Sequence, residues 1–176
     1  MLGVILKKIK YVAIAVVVII TLGLCLPESL VIPVKGATSN DWNHNTFWYE
    51  PWGTSGVHKG IDIFGVKTTP VVASVSGVVV YAGKLKKGGN VIAILGPKWR
   101  VHYFAHLDKS HVNTGKFVNA SEIIGTLGDT GNAAGKQPHV HYSIVSLLPL
   151  PWLISSESQG WKRMFYLSPH EKLIRI

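Results

Sequence analysis

The sequence predicts an all-β domain preceded by a single apolar helix, and three observations carry that reading. Between about residues 46 and 145, valine- and isoleucine-rich runs alternate with turn residues: Pro70-Val71-Val72-Ala73-Ser74-Val75, Gly77-Val78-Val79-Val80-Tyr81-Ala82 and Asn90-Val91-Ile92-Ala93-Ile94-Leu95. Short β-branched runs bounded by Gly, Asn and Pro read as strands. No amphipathic helical pattern interrupts them. Upstream, Lys7, Lys8 and Lys10 are followed by a stretch from Tyr11 to Leu26 without a charge.

Residues 1–10 form a basic segment and residues 11–26 the apolar helix. Sixteen helical residues span roughly 24 Å, short of a hydrocarbon core about 30 Å thick. Snorkelling lysines and the downstream Leu30-Val31-Ile32 patch are expected to make up the deficit. The segment reads as an uncleaved signal anchor, a transmembrane helix, with a cleaved signal peptide as the alternative. Either way the lysines stay in the cytoplasm and the remainder lies outside it, in the periplasm or cell wall. Cys25 is the only cysteine, so an intrachain disulfide is excluded. The bulky Leu24 before it departs from the small residue usual at lipid-attachment sites.

Residues 27–45 read as a polar, proline-containing linker, 46–148 as the β domain and 149–176 as a C-terminal extension. Within the domain Lys86-Lys87-Gly88-Gly89-Asn90 has the composition of a hairpin tip. Trp152, Trp161, Phe165 and Tyr166 stand among basic residues in the extension, which suits either a packed appendage or a wall-facing flap.

The net charge is +9, from 18 Lys+Arg against 9 Asp+Glu. Such a balance favours a polyanionic neighbour: nucleic acid, an anionic membrane or an acidic wall polymer. The cations are scattered or sit beside the apolar run, and the six tryptophans are spread along the chain. Without a basic strip carrying clustered aromatics, a nucleic-acid partner is not expected.

The chemistry concentrates in five residues. In an extended segment i, i+2 and i+4 face one way. His58-Lys59-Gly60-Ile61-Asp62 therefore presents His58 and Asp62 together, and His139-Val140-His141 presents two imidazoles side by side. His106 supplies a fifth donor. Imidazole nitrogen and carboxylate oxygen are natural zinc ligands, and three protein ligands plus a water define a catalytic site. Two pairs and a further histidine exceed what a three-ligand site needs, and hydrolysis uses such a surplus. Spacing alone does not say whether His139 or His141 is the ligand. His44, His111 and His170 have no partner at metal spacing; His102, four residues before His106, is expected to share its strand face.

With those residues in hand, the chain resembles the lysostaphin-type (LytM-like) zinc endopeptidases that cut peptidoglycan peptides. The match runs from about Pro51 to Val145 through His58-Lys59-Gly60-Ile61-Asp62, Thr69-Pro70-Val71-Val72-Ala73, Gly77-Val78-Val79, Phe104-Ala105-His106-Leu107, Val118 to Gly125, and Gly128-Asp129-Thr130-Gly131 leading to Pro138-His139-Val140-His141-Tyr142. Phe104 stands where tyrosine is usual and Ser121 where glycine is usual.

The resemblance implies a duplicated-hybrid-motif fold, a mostly antiparallel sheet with a loop-lined groove. It implies one Zn²⁺ per chain held by His58, Asp62 and His141, with His106 and His139 as catalytic groups that move a proton and stabilise an oxyanion. The glycines at 125, 128 and 131 are expected to let an extended peptide approach the groove. The implied partners are peptidoglycan peptides and, through the helix, the membrane; oligomeric state is left open. Three other readings compete, one of them a metal-free structural β module, which leaves the His/Asp constellation unexplained. A non-catalytic zinc- or peptidoglycan-binding activator of another wall hydrolase would not need all five donors. A biotinyl- or lipoyl-type carrier, suggested by Asp108-Lys109, has its glycine-valine segment before the modified lysine, whereas Gly115 to Gly125 follows it here.

Overall fold

The computed structural model describes residues 2–175. An α-helix, α1 (Leu2–Cys25), precedes ten strands: β1 (Ile61–Phe64), β2 (Pro70–Val72), β3 (Gly77–Leu85), β4 (Gly89–Gly96), β5 (Arg100–Leu107), β6 (Lys109–Ser110), β7 (Phe117–Val118), β8 (Ile123–Thr126), β9 (His139–Ser146) and β10 (Tyr166–Leu167), and a short α2 (Pro169–Leu173) follows them. The main sheet has the order β1-β9-β5-β4-β3-β7, with β10 also on β9. β1 pairs with residues 139–142 of β9 and β10 with 144–145, so the two short strands share one edge. A second sheet, β2-β8-β6, is antiparallel throughout. The expected all-β, mostly antiparallel fold with an N-terminal apolar helix is the one observed.

Alternation sorts the central strands into two faces. Ile61, Ile63, Val140, Tyr142, Ile144 and Phe104 point into one core shared with Val71, Ile124 and Leu127 of the smaller sheet. Asp62, Phe64, His139 and His141 take the opposite face, as period-two strands require. The register completes the arrangement: Asp62 stands opposite His141, and His141 opposite Ala105. Burying one face in apolar contact fixes that register, because a one-residue slip would turn every core side chain outward.

Two regions differ from the sequence reading. The helix begins upstream of the charge-free run, and Ile5–Cys25, which takes in Lys7, Lys8 and Lys10, gives 21 residues of mean hydropathy 2.1. At 1.5 Å per residue this is about 32 Å, so the helix reaches membrane thickness without help from Leu30-Val31-Ile32. Those residues serve the domain instead. Leu30 and Val34 are in the core, and the backbone from 31 to 35 bonds along β2, through Val31 N–H to Ser74 O, Val72 N–H to Pro33 O and Lys35 N–H to Pro70 O. The segment expected to be a linker is in effect an extra edge on the smaller sheet, because its apolar residues have a sheet to pair with.

The C-terminal extension is a packed appendage. Leu167 and Leu173 join the core. Trp42 Nε1–H donates to His170 Nδ1 at 3.1 Å and Trp48 Nε1–H to the Ser158 carbonyl at 3.1 Å, tying both flanks of the domain together.

Candidate metal centre

Three donor atoms from two strand regions converge on one point. His58 Nε2 lies 3.1 Å from Asp62 Oδ1 and 2.9 Å from His141 Nδ1, and His141 Nδ1 lies 2.9 Å from the same Asp62 oxygen. Asp62 and His141 meet because they are cross-strand partners. His58 precedes β1 and is placed by backbone bonds to a neighbouring loop, His58 N–H to Tyr49 O and Trp48 N–H to His58 O. Gly60 makes the turn into β1 close enough: a Cβ there would strike the Tyr142 carbonyl, Ser143 Oγ and His141 Cε1. The residue is needed for approach to β9, not merely to leave space for an ion.

The surrounding groups settle which nitrogens are free. A carbonyl only accepts, so His58 Nδ1–H donates to Thr46 O at 3.1 Å and leaves Nε2 as a lone pair facing the carboxylate. His141 Nε2 is 3.0 Å from Ser143 Oγ, which accepts its proton when Nδ1 is the lone pair. Two imidazole lone pairs and a carboxylate oxygen at this separation repel one another unless a cation sits between them. Ligands about 2.0–2.1 Å from a tetrahedral zinc are roughly 3.3 Å apart, close to the spacing seen. The donor set fits the ion. Burial disfavours an ionised Asp62, but without an ion a proton held by His141 or His58 against it outweighs burial and keeps the carboxyl well below the usual carboxylate range; a bound cation would take that proton's place.

His139 and His106 stand beside this trio. His139 shares the groove face with His141, and its Nε2 lies 4.0 Å from Asp62 Oδ2 while Nδ1–H donates to Gln137 O at 2.8 Å. His106 reaches the same face by an irregularity. Asn90 pairs with Leu107 and Ile92 with Phe104, so Ala105 and His106 together oppose Val91. This is a β-bulge, and bulges re-aim side chains beside functional sites. His106 has φ 65°, a left-handed conformation uncommon for a residue with a side chain. Its ring centroid comes within 5.0 Å of His139 and 6.2 Å of His141. Nδ1–H donates to Thr130 O at 2.8 Å. Burial pushes its pKa down to about 4, with nearby His139 and His141 adding to the effect. The Nε2 lone pair is therefore available at neutral pH.

His102 does not share that face. The bulge falls between it and His106, and His102 points into the core, where Nδ1 is 2.7 Å from Tyr142 Oη and 3.3 Å from Ser74 Oγ. Phe104, which replaces a usual tyrosine, is also core; its neighbour Tyr103 lines the groove instead. The glycines expected to admit a peptide meet the protein's own backbone instead: a Cβ on Gly125 would strike Lys109 O, and one on Gly128 the Asp108 N–H. Ser121 has φ 69°, which explains why glycine is usual there.

Sequence reasoning missed Trp52, whose ring stacks on His58 at 3.9 Å between centroids and 20° between planes. It also missed Lys59, Lys87 and Lys136, which line the same groove of about 630 Å³. A lone tryptophan and scattered lysines carry no pattern that alternation or spacing can read.

A groove on one face of an antiparallel sheet, with two imidazoles and a carboxylate converging beside two further imidazoles, defines a metallopeptidase architecture. The chain belongs to peptidase family M23, the lysostaphin-type peptidoglycan endopeptidases, whose family model matches residues 56–147. The structure is similar to the catalytic domain of lysostaphin from Staphylococcus simulans, at a TM-score of 0.57 and 31% identity over 70% of this chain and 85% of that one. In sequence it is 34% identical over 143 residues to the L-Ala–D-Glu endopeptidase of Bacillus subtilis, covering 72% of this chain and 42% of that protein. It is 36% identical over 107 residues to the murein hydrolase activator NlpD of Escherichia coli, covering 59% of this chain and 28% of that protein. The chain thus spans less than half the length of these curated relatives.

Proposed function

We propose that the protein is a zinc-dependent endopeptidase that hydrolyses peptide cross-links of bacterial peptidoglycan during wall remodelling, held by α1 at the membrane with its domain outside the cytoplasm. The observation that carries the reading is the convergence of His58 Nε2, Asp62 Oδ1 and His141 Nδ1 within one groove that also contains His106 and His139. Those three residues would hold one Zn²⁺ per chain, and the ion would supply a Lewis acid and acidify a water in the groove.

The chain's own residues do the rest. His106, neutral with a free Nε2, accepts the proton that the attacking water loses and returns it to the leaving amine. His139, with Nδ1–H fixed on Gln137 O, directs Nε2 into the groove; protonated there, it donates to the oxyanion as the planar amide becomes tetrahedral. The carbonyls of Thr46, Thr130 and Gln137 fix three imidazole rings in orientation, as outer partners of metal and catalytic histidines do. Trp52 covers one side of His58 and limits access by bulk water.

Amide cleavage suits this set better than sugar cleavage, which uses two carboxylates flanking the bond; among the described residues Asp62 is the only acidic one lining the groove. The similarity to an endopeptidase supports a peptide target. The similarity to NlpD favours the second reading, a non-catalytic activator of another hydrolase. The full set of five groove donors speaks for catalysis.

The test is digestion of isolated sacculi by the full chain in detergent, with and without a chelator. New amino termini without new reducing sugar ends, abolished by chelation and restored by zinc, are expected. Reducing ends without amino termini would contradict the peptidase reading, and neither product, with zinc bound, would favour the activator.

A further inference from the structure

The apolar helix does not leave the domain as a free tether. Trp99 Nε1–H donates to the Ile20 carbonyl at 2.9 Å, five residues inside the end of α1. The indole lies against Gly23, where any side chain would collide with the ring. Trp99 belongs to the turn between β4 and β5, in which Lys98 and Trp99 both take positive φ, 58° and 55°. A turn that touches the apolar span inside its own end stands at the depth of the membrane surface, where tryptophan is favoured.

The neighbouring groups suit the same setting. Leu147 N–H donates to Trp99 O at 2.9 Å, and the Leu147 side chain is 53% exposed. Lys98, Arg100, Lys172 and Arg175 gather around the same end. Burial lowers the Lys172 pKa, and Arg100, Arg175 and Lys98 lower it further, against Glu28, which raises it. Glu28 is itself paired with Arg100. Of the remaining cations Arg175 is exposed and Lys98 and Lys172 are half-buried, beside the exposed Leu147, the combination that binds an anionic lipid surface.

We infer that this end of the domain is a lipid-docking surface: the 97–99 turn and Leu147 seat in the membrane interface, and Lys98, Lys172 and Arg175 engage anionic headgroups of the leaflet from which the C-terminal end of α1 emerges. The inference rests on the proposed anchoring by α1 and goes beyond it, because an anchor alone leaves the domain free to tumble. Its consequence is a fixed working height. His141 and Ser146 lie five residues apart on β9, roughly 17 Å at strand spacing. The groove is then held about that far from the docked end, facing wall peptides next to the membrane.

The experiment uses the full chain in nanodiscs of phosphatidylglycerol and phosphatidylcholine. In a Cys25→Ala background, a single cysteine is placed at Leu147 or at Leu85, at the far end of β3, and labelled with an environment-sensitive fluorophore. Brominated lipid is expected to quench the label at position 147 several-fold more than the label at 85. Gly23→Leu keeps the helix apolar but removes the space for Trp99, and is expected to bring the two positions to equal quenching while the chain still co-elutes with the discs. Lys98→Glu with Lys172→Glu, both half-buried and outside α1, is expected to weaken the signal at 147 without disturbing the helix. Equal quenching in the parent chain bound to discs overturns docking and leaves the anchor standing. A chain that does not co-elute with discs overturns both. Protection of position 147 in native membranes but not in protein-free discs assigns the face to a protein partner and overturns the lipid surface.

Discussion

His102 and His106 sit four residues apart on one strand, yet they belong to opposite worlds. His102 is in the core, closed into a network with Tyr142 and Ser74, and Tyr142 Oη–H in turn donates to Ser74 Oγ at 2.9 Å. His106 is in the groove, with one nitrogen fixed on a carbonyl and the other left open. On the core side Nδ1 finds Tyr142 and Ser74 while Nε2 faces the Glu28 carboxylate at 3.6 Å, and the network is structural. On the groove side lone pairs are aimed at lone pairs, an arrangement that makes sense only with a ligand between them. A single bulge at Ala105–His106 separates the two outcomes, so the same residue type is packing in one place and chemistry in the other.

The sharpest way to break this contrast is to remove a groove donor. Asp62→Ala takes away the only anionic donor of the trio and leaves two lone pairs facing each other. Zinc binding and peptide hydrolysis should both fall to background, read by metal analysis and amine release, while the fold persists by circular dichroism. Next in size is His106→Ala, which should retain zinc and lose about 10² to 10⁴-fold in turnover, the usual worth of a positioned base. Gly60→Ala should act between site and scaffold. Its Cβ meets the Tyr142 carbonyl, so β1 must shift from β9, and zinc affinity should fall together with thermal stability.

On the core side the effects should be smaller and of another kind. Tyr142→Phe takes the phenol hydroxyl from His102 and Ser74 and leaves them only each other at 3.3 Å, at a cost of about 0.5–1.5 kcal/mol in unfolding free energy, with zinc stoichiometry unchanged. His102 also makes a pH prediction. Burial lowers its pKa below 6.5 in the folded chain, although the Glu28 carboxylate facing Nε2 opposes this. Below pH 6.5 the unfolded chain therefore takes up a proton that the folded chain refuses. The stability this group contributes is intact above 6.5 and is lost as pH falls through the folded value. His102→Gln should flatten the fall in stability with acid measured on the metal-free protein; an unchanged slope would show that His102 is not held neutral.

Much of the site was legible because period-two alternation is a strong rule within a strand. It put His139 with His141 on one face. It also put His58 with Asp62, although only Asp62 lies in β1 and His58 is placed by loop bonds. What alternation cannot give is pairing between strands. That Asp62 opposes His141 depends on which strands meet and in what register, and no local pattern states it. The bulge at His106 breaks the rule that predicted a shared face with His102, and only the partner strand reveals it. The linker reading failed for a related reason: Leu30-Val31-Ile32 looked like an apolar patch beside a membrane helix, and the partners of this segment lie far along the chain, Ser74 for Val31 and Val71 for Val34. The N-terminal helix, by contrast, was plain from its composition, since neither partners nor register enter into it.

The account turns on which of two neighbouring histidines holds the metal, and zinc counting on purified variants tests it most directly. The parent chain should carry close to one zinc per chain, His141→Ala should lose it, and His139→Ala should keep it while losing activity. Loss of metal from His139→Ala as complete as from His141→Ala would contradict the account and place His139 among the ligands.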